Sequence, residues 1–205
     1  MAGFNINRFR AEGLVGGGAR PTNFAVTLAF PGVVDAPGAS AKMQMLCRSS
    51  KLPESMIADI PIPYFGRTIK IAGNRTFDDW DVTIMNDEDF MLRNLFEKWH
   101  NSINTLISNR LDPAAAGINA IGGSYKTTAL VTQFGKSGPG DIDGEGAIKT
   151  YKFEGVFPTM VSDIPLDYDA VNQIEQFQVR FAYDWYEPYT KANDEPIFPL
   201  ELNDA

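Results

Sequence analysis

Gln173-Ile174-Glu175-Gln176-Phe177-Gln178-Val179-Arg180-Phe181-Ala182-Tyr183-Asp184-Trp185 is the longest alternation of apolar and polar residues in the chain. Successive side chains of an extended strand point to opposite faces. Phe177, Val179, Phe181, Tyr183 and Trp185 therefore share one face, and Gln176, Gln178, Arg180, Ala182 and Asp184 the other. This is the pattern of a strand with one face in a core and the other in contact with water.

The same period recurs upstream. In Asn23–Phe30, Phe24, Val26, Leu28 and Phe30 oppose Ala25, Thr27 and Ala29, and Pro31-Gly32 ends the strand. A second strand is expected over Lys42–Arg48. Ser49–Pro63 holds Pro53, Pro61 and Pro63 and reads as a long loop or edge segment. Tyr64–Ile71 and Thr76–Met85 read as two strands joined by a turn at Ala72-Gly73-Asn74-Arg75. In the second of these, Trp80, Val82 and Ile84 oppose Asp79, Asp81 and Thr83. Tyr125–Phe134 is another strand, and Lys149–Phe157 places Tyr151, Phe153 and Phe157 on one face.

One segment changes period. Asn86 is placed to cap a helix whose first turn carries Asp87, Glu88 and Asp89, which suits the helix dipole. Leu92, Leu95, Phe96, Trp99, Ile103, Leu106 and Ile107 then recur at spacings of three and four, predicting a helix to about Ser108 whose apolar stripe covers a sheet. Asp112–Gly123 and Gly135–Gly146 read as loops. Strands that flank a helix, rather than alternating with helices, argue against a parallel α/β fold. The expected architecture is mainly β, an antiparallel sandwich or barrel subunit with one flanking α-helix. Residues 1–21, with Gly13 and Gly16-Gly17-Gly18, read as a flexible N-terminal arm, 22–187 as the β domain, and 188–205 as an irregular tail.

Composition narrows the function. A chain of 205 residues buries about 70% of its unfolded surface without disulfides or metals. The formal net charge of −8 and a pI near 4.7 exclude a protein that grips nucleic-acid phosphates. Cys47 is the single cysteine, so no intrachain disulfide forms, and its neighbourhood suits a small apolar core residue. Met1–Arg20 lacks the basic and apolar regions of a secretory signal, and no apolar run reaches the ~20 residues of a membrane helix, so a soluble protein made in the cytosol is expected.

No constellation of catalytic residues stands out, and neither a cofactor nor a metal is expected. Gly135-Lys136-Ser137 ends like a phosphate-binding loop, but the position that needs the first glycine is Leu130. Asp141-Ile142-Asp143-Gly144-Glu145-Gly146 starts like a calcium loop, yet its twelfth position is Lys152. Asp78, Asp79 and Asp81 with Asp87, Glu88 and Asp89 form the main acidic cluster, read as solvated strand and helix-start residues rather than as an acid–base pair. His100 has no second histidine or cysteine near it with which to bind a metal. Asn74-Arg75-Thr76 matches a glycosylation sequon that has no role in a cytosolic chain.

Read together, five segments resemble the tail tube proteins of contractile-tailed, T4-like bacteriophages. They are Tyr64-Phe65-Gly66-Arg67-Thr68, Arg75-Thr76-Phe77-Asp78-Asp79-Trp80, Asn86–Phe90 with Leu92-Arg93-Asn94 and Trp99, Tyr151–Pro158, and Phe181-Ala182-Tyr183-Asp184. The resemblance runs in the family's order from about Asn23 to Tyr186; Asp112–Gly123 and the tail after Glu187 depart from it. It implies a non-enzymatic subunit of hexameric rings whose sheets join in a continuous β-barrel, stacked into a tube that conducts the genome during ejection. It also implies a place in the virion tail after synthesis in the host bacterial cytoplasm. Implied partners are further copies, the tail sheath, baseplate and tail terminator proteins, and DNA that passes without specific binding; no membrane is involved. A tube subunit of a type VI secretion system or a phage-derived bacteriocin is an alternative within the same fold. A β-sandwich hydrolase or glycan-binding module using Asp78, Asp79 or Asp81 is an alternative from another class. On the tube reading, Thr27, Gln176, Gln178 and Arg180 face the lumen, and Arg8, Arg10, Arg20, Pro53 and Ile57 make subunit contacts.

Overall fold

The computed structural model describes residues 6–14, 17–32, 34, 37–109, 125–136 and 146–190. Asp112–Gly123, Asp141–Glu145 and the tail from residue 191 lie outside the described residues. The elements in chain order are α1 (Ile6–Arg8), continued by a helical turn over Phe9–Gly13, then β1 (Phe24–Leu28), α2 (Ala39–Leu46), β2 (Cys47–Ser50), β3 (Ser55–Tyr64), β4 (Arg67–Phe77), β5 (Trp80–Met85), α3 (Met91–Ile103), β6 (Thr127–Phe134), β7 (Ala147–Val161), β8 (Gln176–Ala182) and β9 (Trp185–Thr190).

All strand pairs are antiparallel. Seven strands follow the path β1-β6-β7-β8-β5-β2, with β9 also on β7. The first half of β7 pairs with β6 and β9, and its last residues, Phe157–Val161, pair with β8. This long strand therefore belongs to two sheets, β1-β6-β7-β9 and β7-β8-β5-β2, whose inner faces meet. Trp80 of one stacks on Phe153 of the other with ring centroids 4.7 Å apart.

The bend in β7 is at Gly155, which has φ +71. A Cβ there would lie 2.1 Å from an Asp184 carboxylate oxygen. That carboxylate accepts two hydrogen bonds from Lys126 Nζ, each 2.8 Å, while the Asp184 N–H donates to Glu154 O at 2.9 Å. The bend shifts the alternation by one residue. Phe153 is buried before it, and Val156 after it. Phe157, expected on the face of Tyr151 and Phe153, instead packs edge-on against Tyr125 at 5.3 Å on the other side. The chain opposite breaks in the same place: the alternation read as continuous from Gln173 to Trp185 ends at Ala182, and β9 starts in the other sheet. Trp185 is consequently half-exposed, and Tyr186 turns to the core in its place. β9 also makes residues 188–190 strand, not irregular tail.

Between the sheets lie Val26, Leu28, Ala129, Val131 and Phe153 from one, and Trp80, Val82, Ile84, Phe177, Val179 and Phe181 from the other. α3 closes the interior with Leu92, Leu95, Phe96 and Trp99. Phe96 meets Phe30, Phe177 and Phe181 at centroid distances of 5.6, 6.2 and 5.9 Å. The Trp99 indole N–H donates to Tyr125 O at 2.9 Å, satisfying its polar end inside the core.

Three local expectations are corrected. Lys42–Arg48 is mostly the helix α2, so the domain has a second flanking helix. Its sequence, Ala-Ser-Ala-Lys-Met-Gln-Met-Leu, has strong helix formers and no β-branched residue, and it buries Ala39 and Met43 one turn apart. α3 starts at Met91 because Asn86–Phe90 forms a turn closed by Phe90 N–H to Asp87 O at 2.9 Å. Asp89 caps the helix by accepting from Met91 N–H at 2.9 Å, and Asp87 and Asp89 both bind Lys42 of α2. α3 ends at Ile103, short of the exposed Leu106 and Ile107, because Asn101 and Ser102 side chains take up backbone groups: Asn101 Oδ1 accepts from Leu106 N–H at 3.0 Å, and Ser102 Oγ donates to Trp99 O at 2.7 Å.

Gly155→Ala is expected to destabilise the fold by about 1–3 kcal/mol, because alanine is strained at this φ and displaces Asp184 from Lys126. Urea denaturation followed by far-UV circular dichroism measures it.

Candidate functional site

The third correction supplies the feature that stands apart from the fold. The expected turn at Gly73-Asn74 is not a turn. β3 and β4 form one long hairpin that reverses at Phe65-Gly66, where φ is 43 and 76. Tyr64 pairs with Arg67 across this two-residue reversal, which has the left-handed central residues of a type I′ turn. Gly73 instead sits in a bulge, where Ile57 pairs with Arg75 but Asp59 pairs with Ala72. A Cβ at Gly73 would lie 2.9 Å from Ala58 O, so the close approach requires glycine. The segment read as loop, Ser49–Pro63, thus contains all but the last residue of a ten-residue strand.

Cross-strand partners share a face. Ile60 pairs with Ile71 and Ile62 with Ile69, so four isoleucines form one face of the hairpin. The opposite face carries Pro61 against Lys70 and Pro63 against Thr68, with an Asp59–Lys70 ion pair. Every residue of β3 is exposed, and the four isoleucines are 42 to 56% exposed. Among the described residues the ring contacts that tie the hairpin to the body are at its base, where Phe77 meets Tyr183 at 5.9 Å and Tyr186 at 5.5 Å. An isolated two-stranded ribbon is marginal in water, and a contiguous apolar face marks a contact surface. Pro61 and Pro63 offer no N–H to a further strand, so β3 is a poor edge for strand addition and the isoleucine face is left as the means of contact.

An open cleft of about 440 Å³ lies at the hairpin's base, between Leu52, Glu54, Asp78, Asp79 and Tyr183. It includes the aspartates that would serve a hydrolase. Asp81 accepts an ion pair from Lys51 Nζ at 2.8 Å and another from Arg180 Nε at 3.0 Å. The Lys51 ammonium, assisted by Arg180, holds its carboxyl below the usual carboxylate range. A carboxylate so compensated is a poor proton donor or base at neutral pH; it ties β5 to β8 and to the lead into the hairpin. Among the described residues no three His, Cys, Asp or Glu side chains converge as a metal site.

The remaining predicted residues are distributed as follows. Gln176, Gln178 and Arg180 lie on the outer face of β8, alongside Met85, Thr83 and Asp81 of β5. Thr27 lies on β1 in the other sheet, beside Leu130, so it does not join them. Arg8 is ion-paired with Glu12 at 2.7 Å in the N-terminal turn, and Arg10 and Arg20 are exposed. Pro53 is half-buried beside the cleft, and Ile57 is exposed on the hairpin, on the face opposite the four isoleucines. Cys47 is half-buried, and burial pushes its thiol up to about 12, which keeps it protonated and inert. His100 is half-buried; burial lowers its pKa, and its Nε2 has no hydrogen-bond partner among the described residues. Sequence reasoning missed the isoleucine face. Its signal was Ile60-Pro61-Ile62-Pro63 mirrored by Ile69-Lys70-Ile71 about Phe65-Gly66.

Comparison with known proteins gives a consistent picture. The family model described as phage tail tube protein matches residues 19–188. Tail tube protein gp19 of Enterobacteria phage T4 is 32% identical over 172 residues, covering 82% of this chain and 91% of that protein. Among solved structures, a chain of the six-fold symmetrised anti-feeding prophage baseplate superposes with a TM-score of 0.57 at 9% identity, covering 85% of this chain and 97% of its own. A chain of the sheath/tube terminator of an extracellular contractile injection system superposes with a TM-score of 0.55 at 14% identity, covering 84% of this chain and 97% of its own.

Asp81→Asn is expected to cost about 1 kcal/mol at pH 7, because two cations lose their partner. The Asp81 pKa is lowered in the folded state, so the wild-type advantage is full above the unfolded value of 3.8 and is lost as pH falls through the folded one. Urea titrations of both proteins from pH 7 to pH 2 measure this convergence.

Proposed function

Because the chain belongs to the phage tail tube protein family, we propose that copies of it close into hexameric rings, that the rings stack into the tube of a contractile tail, and that the genome leaves through its lumen. The observation that carries the assembly is the hairpin: four isoleucines facing water on a ribbon that packs on the body only near its base are accounted for by burial against another copy. Six-fold closure is supported by the fold shared with the six-fold symmetrised baseplate chain. Sheath and terminator proteins are proposed as partners in line with the complex that contains the second similar chain.

The outer face of β5 and β8 suits the lumen, with Thr83, Gln176 and Gln178 uncharged and Arg180 neutralised by Asp81. A lining of this kind stays wet without holding phosphates. Thr27 belongs to the outer face of the other sheet and drops out of this lining. Residues 1–21 are proposed as an arm that contacts neighbouring copies through Arg8, Arg10 and Arg20, residues 22–187 as the tube domain, and residues 188–205 as a tail continuing from β9. Pro53 and Ile57 join the contact through the hairpin and its base. The role is structural; the acidic cleft is read as an ion-paired support for the hairpin.

Negative-stain electron microscopy of the purified chain at micromolar concentration is expected to show rings or tubes. Ile60→Lys with Ile71→Lys is expected to leave the far-UV spectrum unchanged and to raise the concentration needed for assembly about 100-fold or more. A wild-type chain that sediments as a monomer at all accessible concentrations overturns the reading.

A further inference from the structure

A second apolar surface lies at the other end of the same sheet. The β7–β8 connection, residues 162–175, exposes Leu166, Tyr168, Val171 and Ile174 at 65 to 106%. Its ends are pinned: Ser162 N–H donates to Gln178 O at 2.8 Å, and Asn86 N–H donates to Glu175 O at 2.8 Å. Its middle is shaped by Asp169 N–H donating to Asp167 Oδ1 at 3.0 Å and Val171 N–H donating to Asp169 O at 2.9 Å. The apolar residues are thus presented by an ordered loop.

The register of β5 and β8 places this loop relative to the hairpin. β5 is entered from the hairpin at Trp80, which pairs with Phe181; β8 is entered from the loop at Gln176, which pairs with Met85. The two surfaces therefore leave opposite ends of the sheet, about 17 Å apart along the strands. Their charges are opposite as well. The loop carries Asp163, Asp167, Asp169 and Glu175 and no lysine or arginine, whereas the hairpin, Ser55–Phe77, has Arg67, Lys70 and Arg75 against Asp59 alone. The chain as a whole has a net charge of −8, so a net positive hairpin is a local exception that lets like copies approach in one orientation.

We propose that the isoleucine face of the hairpin of one copy docks on the acidic, apolar loop 163–174 of the next copy along the tube. Two different patches at opposite ends of a subunit make a heterologous contact, which repeats head to tail. The apolar side chains supply the buried area, and Arg67 with Arg75 facing the loop aspartates fixes the orientation. The proposal rests on the reading that the chain assembles with itself, and it names the surface that receives the hairpin.

Charge reversal separates the two. Asp167→Lys with Asp169→Lys, and Arg67→Glu with Arg75→Glu, change exposed residues, and circular dichroism checks that each variant is folded. Each pair is expected to reduce the yield of tubes in electron micrographs at least about tenfold, and the chain carrying all four changes to restore it to within about threefold of wild type. On wild-type tubes, carbodiimide coupling followed by peptide mass spectrometry is expected to join Lys70 of one copy to Asp167 or Asp169 of another. Wild-type tube yield in the loop variant, no restoration in the fourfold variant, or coupling of Lys70 only to acids elsewhere overturns the docking proposal while leaving self-assembly intact. A wild-type chain that forms no rings or tubes overturns the self-assembly reading and the docking proposal with it.

Discussion

One corner decides how the chain folds. At Gly155 and Asp184 two paired strands change sheet together, and the aspartate side chain fills the space that any residue other than glycine would occupy. Lys126, at the start of β6, holds that carboxylate from the third strand. Without the bend, β7 would continue as a flat ladder and place Phe157 with Phe153 on one side. With it, the inner faces of two sheets meet at Trp80 and Phe153, and the strand order can run from β1 to β2 through a single bent strand. A bulge of this kind locally increases twist and redirects side chains.

The interior that follows is largely aromatic. Trp80, Phe96, Trp99, Phe153, Phe177 and Phe181 are all buried, and each has a ring partner within about 6.4 Å. Rings this large leave the space between two twisted sheets open at one side, and the two helices fill it. α3 does so with its apolar stripe; α2 is anchored to the turn before α3 by Lys42 between Asp87 and Asp89. The partial negative charge that the first turn of a helix attracts is used here twice, for capping and for holding the neighbouring helix.

Much of the fold was legible in the sequence where periodicity was strict and local. β1, β5 and β8, and the stripe Leu92-Leu95-Phe96-Trp99, bury the residues that alternation and helical spacing assign to the core. The misreadings have a common origin: two signals competed, and the local one was chosen. Gly73-Asn74 is a stronger turn signal than Phe65-Gly66, because phenylalanine rarely takes a left-handed backbone, yet the pairing of ten residues on either side outweighs that preference. Pro61 and Pro63 read as breakers although their missing N–H groups cost nothing on an outer edge. The reversal of facing at Gly155 has no signature in period two, since it depends on Asp184 far along the chain. The candidate surface was hidden for a further reason: alternation marks which residues are apolar together, but not whether the partner that buries them is in the same chain.

That last point connects the fold to assembly. A monomer can tolerate scattered exposed apolar residues, but four isoleucines paired across one ribbon form a face, and a ribbon of two strands has little stability of its own. The body does not depend on it: the twenty residues of the buried core include none from β3 or β4. The hairpin is therefore a separable element whose ordering free energy must come largely from what it meets. Because its cations run against the acidic balance of the whole chain, contact with the wrong part of another copy has little electrostatic support, whereas an acidic apolar surface offers both kinds of complementarity. Stability of the subunit and direction of assembly thus reside in different residues, so the sheets could be conserved in packing while the reach and charge of the hairpin are set by the neighbour it must find.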